Sequence, residues 1–83
     1  MRNPQRVGSI KRSKTGKIFL VNNSRDAFNV DPLVAAIWEL LDGHKDTADL
    51  ARSLTKNTSL PPETLAPEIS KMIHDLRNHG LAC

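Results

Sequence analysis

Residues 29–43 read NVDPLVAAIWELLDG and contain a complete helix with its own start, apolar face and stop. Asp31 can cap this helix, and Pro32 suits its first position, where a missing N–H costs nothing. Apolar residues then recur at helical spacing, and Gly43 offers the left-handed exit that glycine adopts at low cost. No side chain here is suited to catalysis, so the stretch predicts a scaffold helix from Asp31 to Leu41.

The residues before this helix predict an antiparallel meander of three strands. Residues 17–21, KIFLV, are the densest β-forming run, and they are too few for a helix. Residues 27–30 alternate apolar and polar side chains, so Phe28 and Val30 are expected to point inward. Residues 7–13 form a weaker first strand. Such a meander needs helices to cover its apolar face.

Two more helices are expected after the first. The second starts where Asp46 or Thr47 can cap it, and the third opens at Pro61 or Pro62 and carries a long apolar stripe. Pro67 removes a hydrogen bond from the third helix, which predicts a kink near Glu63 to Pro67 or one separate turn before the main helix. The order of elements indicates an α+β fold, a three-stranded antiparallel sheet followed by three helices, with a winged helix-turn-helix outline.

A chain of 83 residues predicts a single domain over residues 1–83, of which we expect residues 1–6 to be flexible. A domain of this size buries only about 60–65% of its unfolded surface, which argues against a deep enzyme pocket. No apolar run approaches the roughly 20 residues of a membrane span, and the N-terminus lacks the apolar core of a signal peptide. We therefore predict a cytoplasmic protein with no membrane partner.

Charge is distributed unevenly along the chain. Residues 1–25 contain seven Lys and Arg residues and no acid, whereas residues 26–83 contain five basic and nine acidic residues. Clustered positive charge can attract an acidic peptide, a nucleic acid or an acidic protein. It can equally keep the edge of a sheet soluble and unpaired. The sequence leaves both interpretations open.

The residue pattern gives little support to catalysis. His74 and His79 are five positions apart on the predicted third helix and do not share a face. Cys83 is the single cysteine, and the four glycines are too far apart to form a phosphate-binding loop. We predict no catalytic residue, no cofactor and no metal site, and hence no enzyme.

A winged-helix transcriptional regulator is the main alternative function. Such a protein would present several basic and amide side chains on its recognition helix, where base edges are contacted. The third helix has three such residues, Lys71, Arg77 and Asn78. It also has three acids, Glu63, Glu68 and Asp75, which nearly cancel the positive charge. We therefore expect no nucleic-acid partner. A general protein-interaction module is a further possibility.

The order of motifs resembles the PqqD-like family of leader-peptide-binding proteins, also called RiPP recognition elements. It comprises a short apolar strand, Asp-Pro, AAIWELLDG, a capped amphipathic helix and a last helix ending in Leu-x-x-x-Gly-Leu. The resemblance runs from about Ile18 to Leu81 and is carried by Phe28, Val30, Ala36, Ile37, Trp38, Leu41, Asp42, Gly43, Leu50, Leu54, Leu76, Gly80 and Leu81. It implies a domain that holds a precursor peptide for a modifying enzyme or a protease.

The resemblance also implies where the peptide lies. In that family the leader adds as a fourth strand beside the third strand, over a groove whose other wall is the third helix. Carried to this chain, the implied peptide-binding residues are Arg25, Asp26, Ala27, Phe28, Asn29, Val30, Ile69, Lys71, Met72, Ile73, Asp75, Leu76 and Arg77. Met72 and Ile73 are candidates either for an apolar pocket or for core packing. The basic residues Arg25, Lys71 and Arg77 would attract acids of the leader.

Overall fold

The computed structural model describes residues 3–56, 59 and 61–83. Three strands are followed by three helices, with the bounds β1 (Ser9–Arg12), β2 (Ile18–Val21), β3 (Ala27–Val30), α1 (Pro32–Leu40), α2 (Thr47–Thr55) and α3 (Pro62–Asn78). The predicted α+β order is confirmed.

The sheet is an antiparallel meander in the order β1-β2-β3, with β2 in the centre. Leu20 of β2 lies opposite Ile10 on one side and Phe28 on the other, and these three side chains face the helices. The buried Leu20 is 0% exposed, whereas Ala27 and Asn29 of β3 are exposed. Phe28 and Val30 therefore point inward, as the alternation of residues 27–30 predicts.

Helix α1 begins at the predicted signals. The Asp31 side chain accepts a hydrogen bond from the Val34 N–H, and Pro32 is the first helical residue. Trp38 is 4% exposed, and its Nε1–H donates to the Leu81 carbonyl oxygen at 3.0 Å. That bond ties the residues after α3 to the last turn of α1. The helix ends at Leu40, and Gly43, with φ of 83°, lies in the connection to α2.

Helix α2 starts with a reciprocal cap. Asp46 accepts from the Asp49 N–H while the Asp49 carboxylate accepts from the Asp46 N–H, which satisfies two backbone donors at the helix start. Helix α3 is continuous through Pro67, so the expected separate turn before the main helix is not present. The missing N–H costs one hydrogen bond in the second turn. Burial of Ile69, Ile73 and Leu76 beyond it stabilises the helix.

The N-terminal segment, of which residues 1–6 are expected to be flexible, forms backbone hydrogen bonds in its described part. Residues 1 and 2 lie outside the described residues, but Pro4 is buried and the chain from Pro4 to Val7 runs between the end of α1 and the C-terminus. Its backbone hydrogen bonds are Gly43 N–H to Pro4 O, Gln5 N–H to Cys83 O, Cys83 N–H to Gln5 O, Arg6 N–H to Leu41 O and Val7 N–H to Leu81 O. The segment is mostly polar, so hydrophobic periodicity did not predict its position. Backbone hydrogen bonds hold it in place, and these do not depend on side-chain identity.

The core lies between the inner face of the sheet and the three helices. Its fully buried large side chains are Leu20, Ile37, Leu41, Leu50, Ile69 and Leu81. Leu81 and Ala82 fold back onto this core, as predicted, with exposed fractions of 1% and 7%.

Candidate functional site

An open pocket lies between β3 and α3. Its volume is about 210 Å³. That is room for one large side chain, or for roughly seven water molecules at about 30 Å³ each. The lining residues are Phe28, Asn29, Val30, Val34, Met72, Asp75, Leu76, His79 and Leu81. Six of these nine are apolar, so the pocket suits an apolar group that arrives from solvent.

The free edge of the sheet beside this pocket can be assigned residue by residue. The Asn22 N–H donates to the Asp26 carbonyl oxygen at 3.0 Å, in the same register that places Leu20 opposite Phe28 and Ile18 opposite Val30. Hydrogen-bonded pairs alternate along an antiparallel ladder. Phe28 and Val30 thus bond to β2, and the N–H and C=O groups of Ala27 and Asn29 point away from the sheet.

Strand addition at this edge would have a defined side-chain pattern. Opposed residues of neighbouring strands place their side chains on the same face. In an added strand, residues opposite Phe28 and Val30 would point toward the pocket, and the alternate residues would point to the open face of the sheet. The edge and the pocket therefore form one surface that can take an extended peptide.

Asn22 fixes the spacing between β3 and the end of α3. Its Nδ2–H donates to the His79 carbonyl oxygen at 2.8 Å, while its Oδ1 accepts from the N–H groups of Ser24 and Asp26. The same side chain thus shapes the β2–β3 turn and binds it to the C-terminus of α3. This hydrogen bond lies next to the pocket, because His79 is one of the lining residues.

His79 completes the wall at the same end. Its ring stands edge-on to Phe28, with ring centroids 4.6 Å apart and an angle of 73° between the planes. Its Nδ1 lies 2.6 Å from the Asp75 carbonyl oxygen. Since a carbonyl only accepts, Nδ1 carries the hydrogen and donates to it. The ring is thus held between α3 and β3.

The structure brings together part of the predicted peptide site. Among the residues expected there, Phe28, Asn29, Val30, Met72, Asp75 and Leu76 line the pocket. Ala27 belongs to the free edge just described. Ile69 and Ile73 are 0% and 4% exposed and lie in the core. Of the two roles considered for Ile73, pocket lining and core packing, the structure shows core packing.

The remaining predicted residues surround the groove without lining it. Arg25 and Asp26 belong to the β2–β3 turn, with Arg25 in the left-handed region at φ of 69°. Lys71 and Arg77 are exposed on α3, and the guanidinium of Arg77 lies 3.5 Å from the Cys83 carbonyl oxygen. None of these three cations lines the pocket.

Three lining residues were not predicted: Val34, His79 and Leu81. Val34 comes from α1, and the other two come from the end of α3 and the residues after it. All three residues belong to segments identified in the sequence. Val34 lies in the first helix, and His79 and Leu81 lie in the final Leu-x-x-x-Gly-Leu motif. The packing of α1, and of the residues that follow α3, beside β3 brings these three residues to the pocket.

A second hollow, also of about 210 Å³, lies between α2 and α3. Its lining residues are Ala48, Ala51, Arg52, Pro62, Glu63 and Ala66. None of the described strands contributes a lining residue, so the described residues offer no row of strand backbone groups to a ligand here. In the described part of the chain, no cluster of three or more His, Cys, Asp or Glu side chains is arranged to hold a metal ion. None of the described helices is both long and apolar enough to cross a membrane.

Two carboxyl groups have shifted pKa values, and both lie near the start of α2. Hydrogen bonds from the Lys45 side chain and the His44 backbone lower the pKa of Asp42. The Asp46 N–H and the guanidinium of Arg52 lower the pKa of Asp49. Neither group borders the β3 groove, so these charges support the α1–α2 connection and the cap of α2.

Comparison with known families identifies the chain. The sequence model of coenzyme PQQ synthesis protein D (PqqD) matches residues 16–82, which include β2, β3, all three helices and the pocket. The chain belongs to the PqqD family. The resemblance seen in residues 18–81 is thereby confirmed.

A solved structure shares the whole fold of this PqqD-family chain. It is described as "Lasso peptide synthetase B1 complexed with the leader peptide", and it superposes with a TM-score of 0.74 over 98% of each chain. Sequence identity is 19%, so the similarity establishes the fold. No curated protein sequence gives a significant match.

Proposed function

We propose that this PqqD-family chain binds the leader segment of a ribosomally synthesised precursor peptide by strand addition to β3 and presents it to a modifying enzyme or a protease. The observation that carries the proposal is the coincidence of a free strand edge with an open apolar pocket. The edge offers the backbone groups of Ala27 and Asn29, and the pocket lies directly beside them. Family membership supports this role, and the similar lasso peptide synthetase B1 was solved with a leader peptide.

The magnitudes explain why edge and pocket are both needed. Four backbone hydrogen bonds at Ala27 and Asn29 contribute about 4 kcal/mol at roughly 1 kcal/mol each, which only offsets the lower end of the roughly 4–15 kcal/mol that association costs in translational and rotational freedom. Burying one leucine-sized side chain adds about 1.5–3 kcal/mol. Edge and pocket together therefore exceed the lower end of that cost, which the edge alone does not. Side-chain contacts outside the pocket would raise the affinity further.

In this proposal the chain itself makes and breaks no bond. It raises the local concentration of the substrate near the active site of the partner. Recruitment of this kind needs a second surface for the enzyme, for which the exposed faces of α1 and α2 and the basic strand β1 are the candidates.

Direct titration tests the proposal. The labelled full chain is mixed with synthetic peptides that cover the N-terminal segment of a precursor encoded beside its gene, and with a random DNA duplex at two salt concentrations. We expect saturable binding of a peptide. The proposal is overturned if no such peptide binds while the duplex binds with an affinity that falls steeply with salt, the signature of phosphate contacts.

A further inference from the structure

Most of the acidic side chains in this protein are already engaged within the chain. Asp31 and Asp46 cap helices, Asp26 lies 3.5 Å from the Asn22 amide, and the other three acids outside α3 pair with cations. Those pairs are Glu39 with Arg12, Asp42 with Lys45 and Asp49 with Arg52. All six acids outside α3 thus have a structural partner.

Helix α3 carries the remaining three acids, which are Glu63, Glu68 and Asp75. Within the described residues no cation forms an ion pair with any of them. Glu63 lines the hollow between α2 and α3, and Glu68 is exposed and lines neither hollow. Asp75 is the single acid among the residues that line the β3 groove.

The position of Asp75 matters because a bound peptide would cover it. Its carboxylate is exposed in the free protein, beside the apolar residues Met72 and Leu76 of the same wall. A peptide strand on β3 would remove water from this carboxylate. The carboxylate would then lose solvation without compensation. An acid of the peptide would repel it, whereas a cation of the peptide would give it an ion-pair partner.

We propose that Asp75 selects leader segments that carry Lys or Arg close to the apolar side chain held in the pocket. This inference rests on the proposed function and specifies its ligand. It also reverses the expectation that Arg25, Lys71 and Arg77 draw acids into the groove, since these cations lie outside the pocket lining. Asp75 acts here as a specificity residue, and the apolar pocket and strand edge supply the affinity.

A displayed library of random ten-residue peptides tests this inference and does not require the sequence of the leader. Parallel selections use the full chain, Asp75→Asn, Asp75→Lys and the matched control Glu68→Lys, which changes an unpaired acid of the same helix away from the groove. We expect the native chain to enrich Lys or Arg at a fixed spacing from an apolar residue. Asp75→Asn should abolish that enrichment, Asp75→Lys should replace it by Asp or Glu, and Glu68→Lys should leave it unchanged.

Single peptides give the quantitative form of the test. Replacing the enriched Lys by Gln should weaken binding to the native chain by about three- to tenfold, as expected for a partly exposed ion pair, and should not affect binding to Asp75→Asn. Circular dichroism melts of all variants confirm that each is folded.

The outcomes separate this inference from the proposed function. If selected peptides bind and are released by a proline in the β3 edge but show no charge preference, the role of Asp75 is refuted and the proposed function stands. If no peptide is enriched by the native chain, the proposed function fails, and the selectivity fails with it.

Discussion

The two edges of the sheet are alike in length and opposite in surroundings. Strands β1 and β3 each have four residues and one unpaired side, and the same register argument that frees Ala27 and Asn29 frees the backbone groups of Ile10 and Arg12 on β1. Yet the pocket opens beside β3, and no residue of β1 contributes to it. An edge becomes a binding site when a pocket beside it supplies affinity that the backbone alone does not.

The two edges also differ in charge, since the exposed residues of β1 are mostly basic and those of β3 are neutral. Lys11 and Arg12 of β1 and Lys14 of the following turn are exposed, and Arg12 pairs with Glu39. Exposed charge along an edge discourages pairing with other strands. On β3 the exposed residues are the neutral Ala27 and Asn29. In the proposed function, β1 is therefore the protected edge and β3 the receptive edge.

The largest effect is expected from proline at the receptive edge. Asn29→Pro removes an outward N–H and places a ring in the path of an added strand, so peptide affinity should fall at least tenfold. The fold should be retained because the replaced N–H does not bond to β2. Fluorescence anisotropy with a bound leader peptide measures the loss.

The matched control for that change is Arg12→Pro at the outward position of β1. It should leave peptide affinity within about twofold, since only an exposed ion pair with Glu39 is lost. Equal losses from the two proline variants would contradict the assignment of the site to β3.

The next effect is expected from the pocket wall. Met72→Ala removes half-buried apolar surface that lines the pocket, and affinity should fall by about five- to tenfold, or roughly 1–1.4 kcal/mol. Leu65→Ala on the same helix is the control, because Leu65 is also half-buried but does not line the pocket. Isothermal titration should show the difference, and a larger affinity loss from Leu65→Ala would refute this pocket.

A smaller effect is expected from the hydrogen bond that joins the β2–β3 turn to the end of α3. Asn22→Ala removes the bonds to the His79 carbonyl and to the turn, so the free energy of unfolding should fall by about 1–2 kcal/mol and peptide affinity by a few fold. Asn23→Ala, in the same turn and exposed, should change neither. Urea denaturation and anisotropy check both values, and a stability loss confined to Asn23→Ala would contradict the role of Asn22.

The smallest effect concerns carboxylates that are remote from both edges. The pKa values of Asp42 and Asp49 are lowered in the folded state from the usual 3.8. Their contribution to stability is therefore present above about pH 4 and is lost as the pH falls through the lower, folded-state values. Thermal melts between about pH 5 and 2.5 should show a decrease in Tm that is smaller for Asp42→Asn. If Tm decreases as much with falling pH in Asp42→Asn as in the native chain, the ion pair with Lys45 contributes nothing to stability.

Local signals accounted for most of the fold. Strand β3 and the start of α1 were predicted to the residue because alternation and the Asp31-Pro32 cap are encoded in neighbouring positions. Of the two alternatives expected near Pro67, a kink or a separate turn, the separate turn is absent, because burial of the rest of α3 keeps the helix continuous. The segment from Pro4 to Val7 escaped prediction because backbone groups bind it to residues 35 to 78 positions away.

The candidate site was harder to predict than the fold, and the reason is distance along the chain. Periodicity indicated that Met72 and Ile73 face inward, but it did not distinguish the pocket-lining Met72 from the core residue Ile73. Val34 and Leu81 reach the pocket through packing between elements that are far apart in sequence. Asn22 looked like an ordinary turn residue, since its bond to His79 spans 57 positions.

Amide hydrogen exchange, followed by NMR on the full chain with and without a bound leader peptide, tests the central claim most directly. An added strand on β3 must take the outward N–H groups of Ala27 and Asn29 into hydrogen bonds, so the exchange of these two amides should slow markedly. The outward amides of Ile10 and Arg12 on β1 should exchange as before. Protection of Ile10 and Arg12, with Ala27 and Asn29 unchanged, would contradict strand addition at β3.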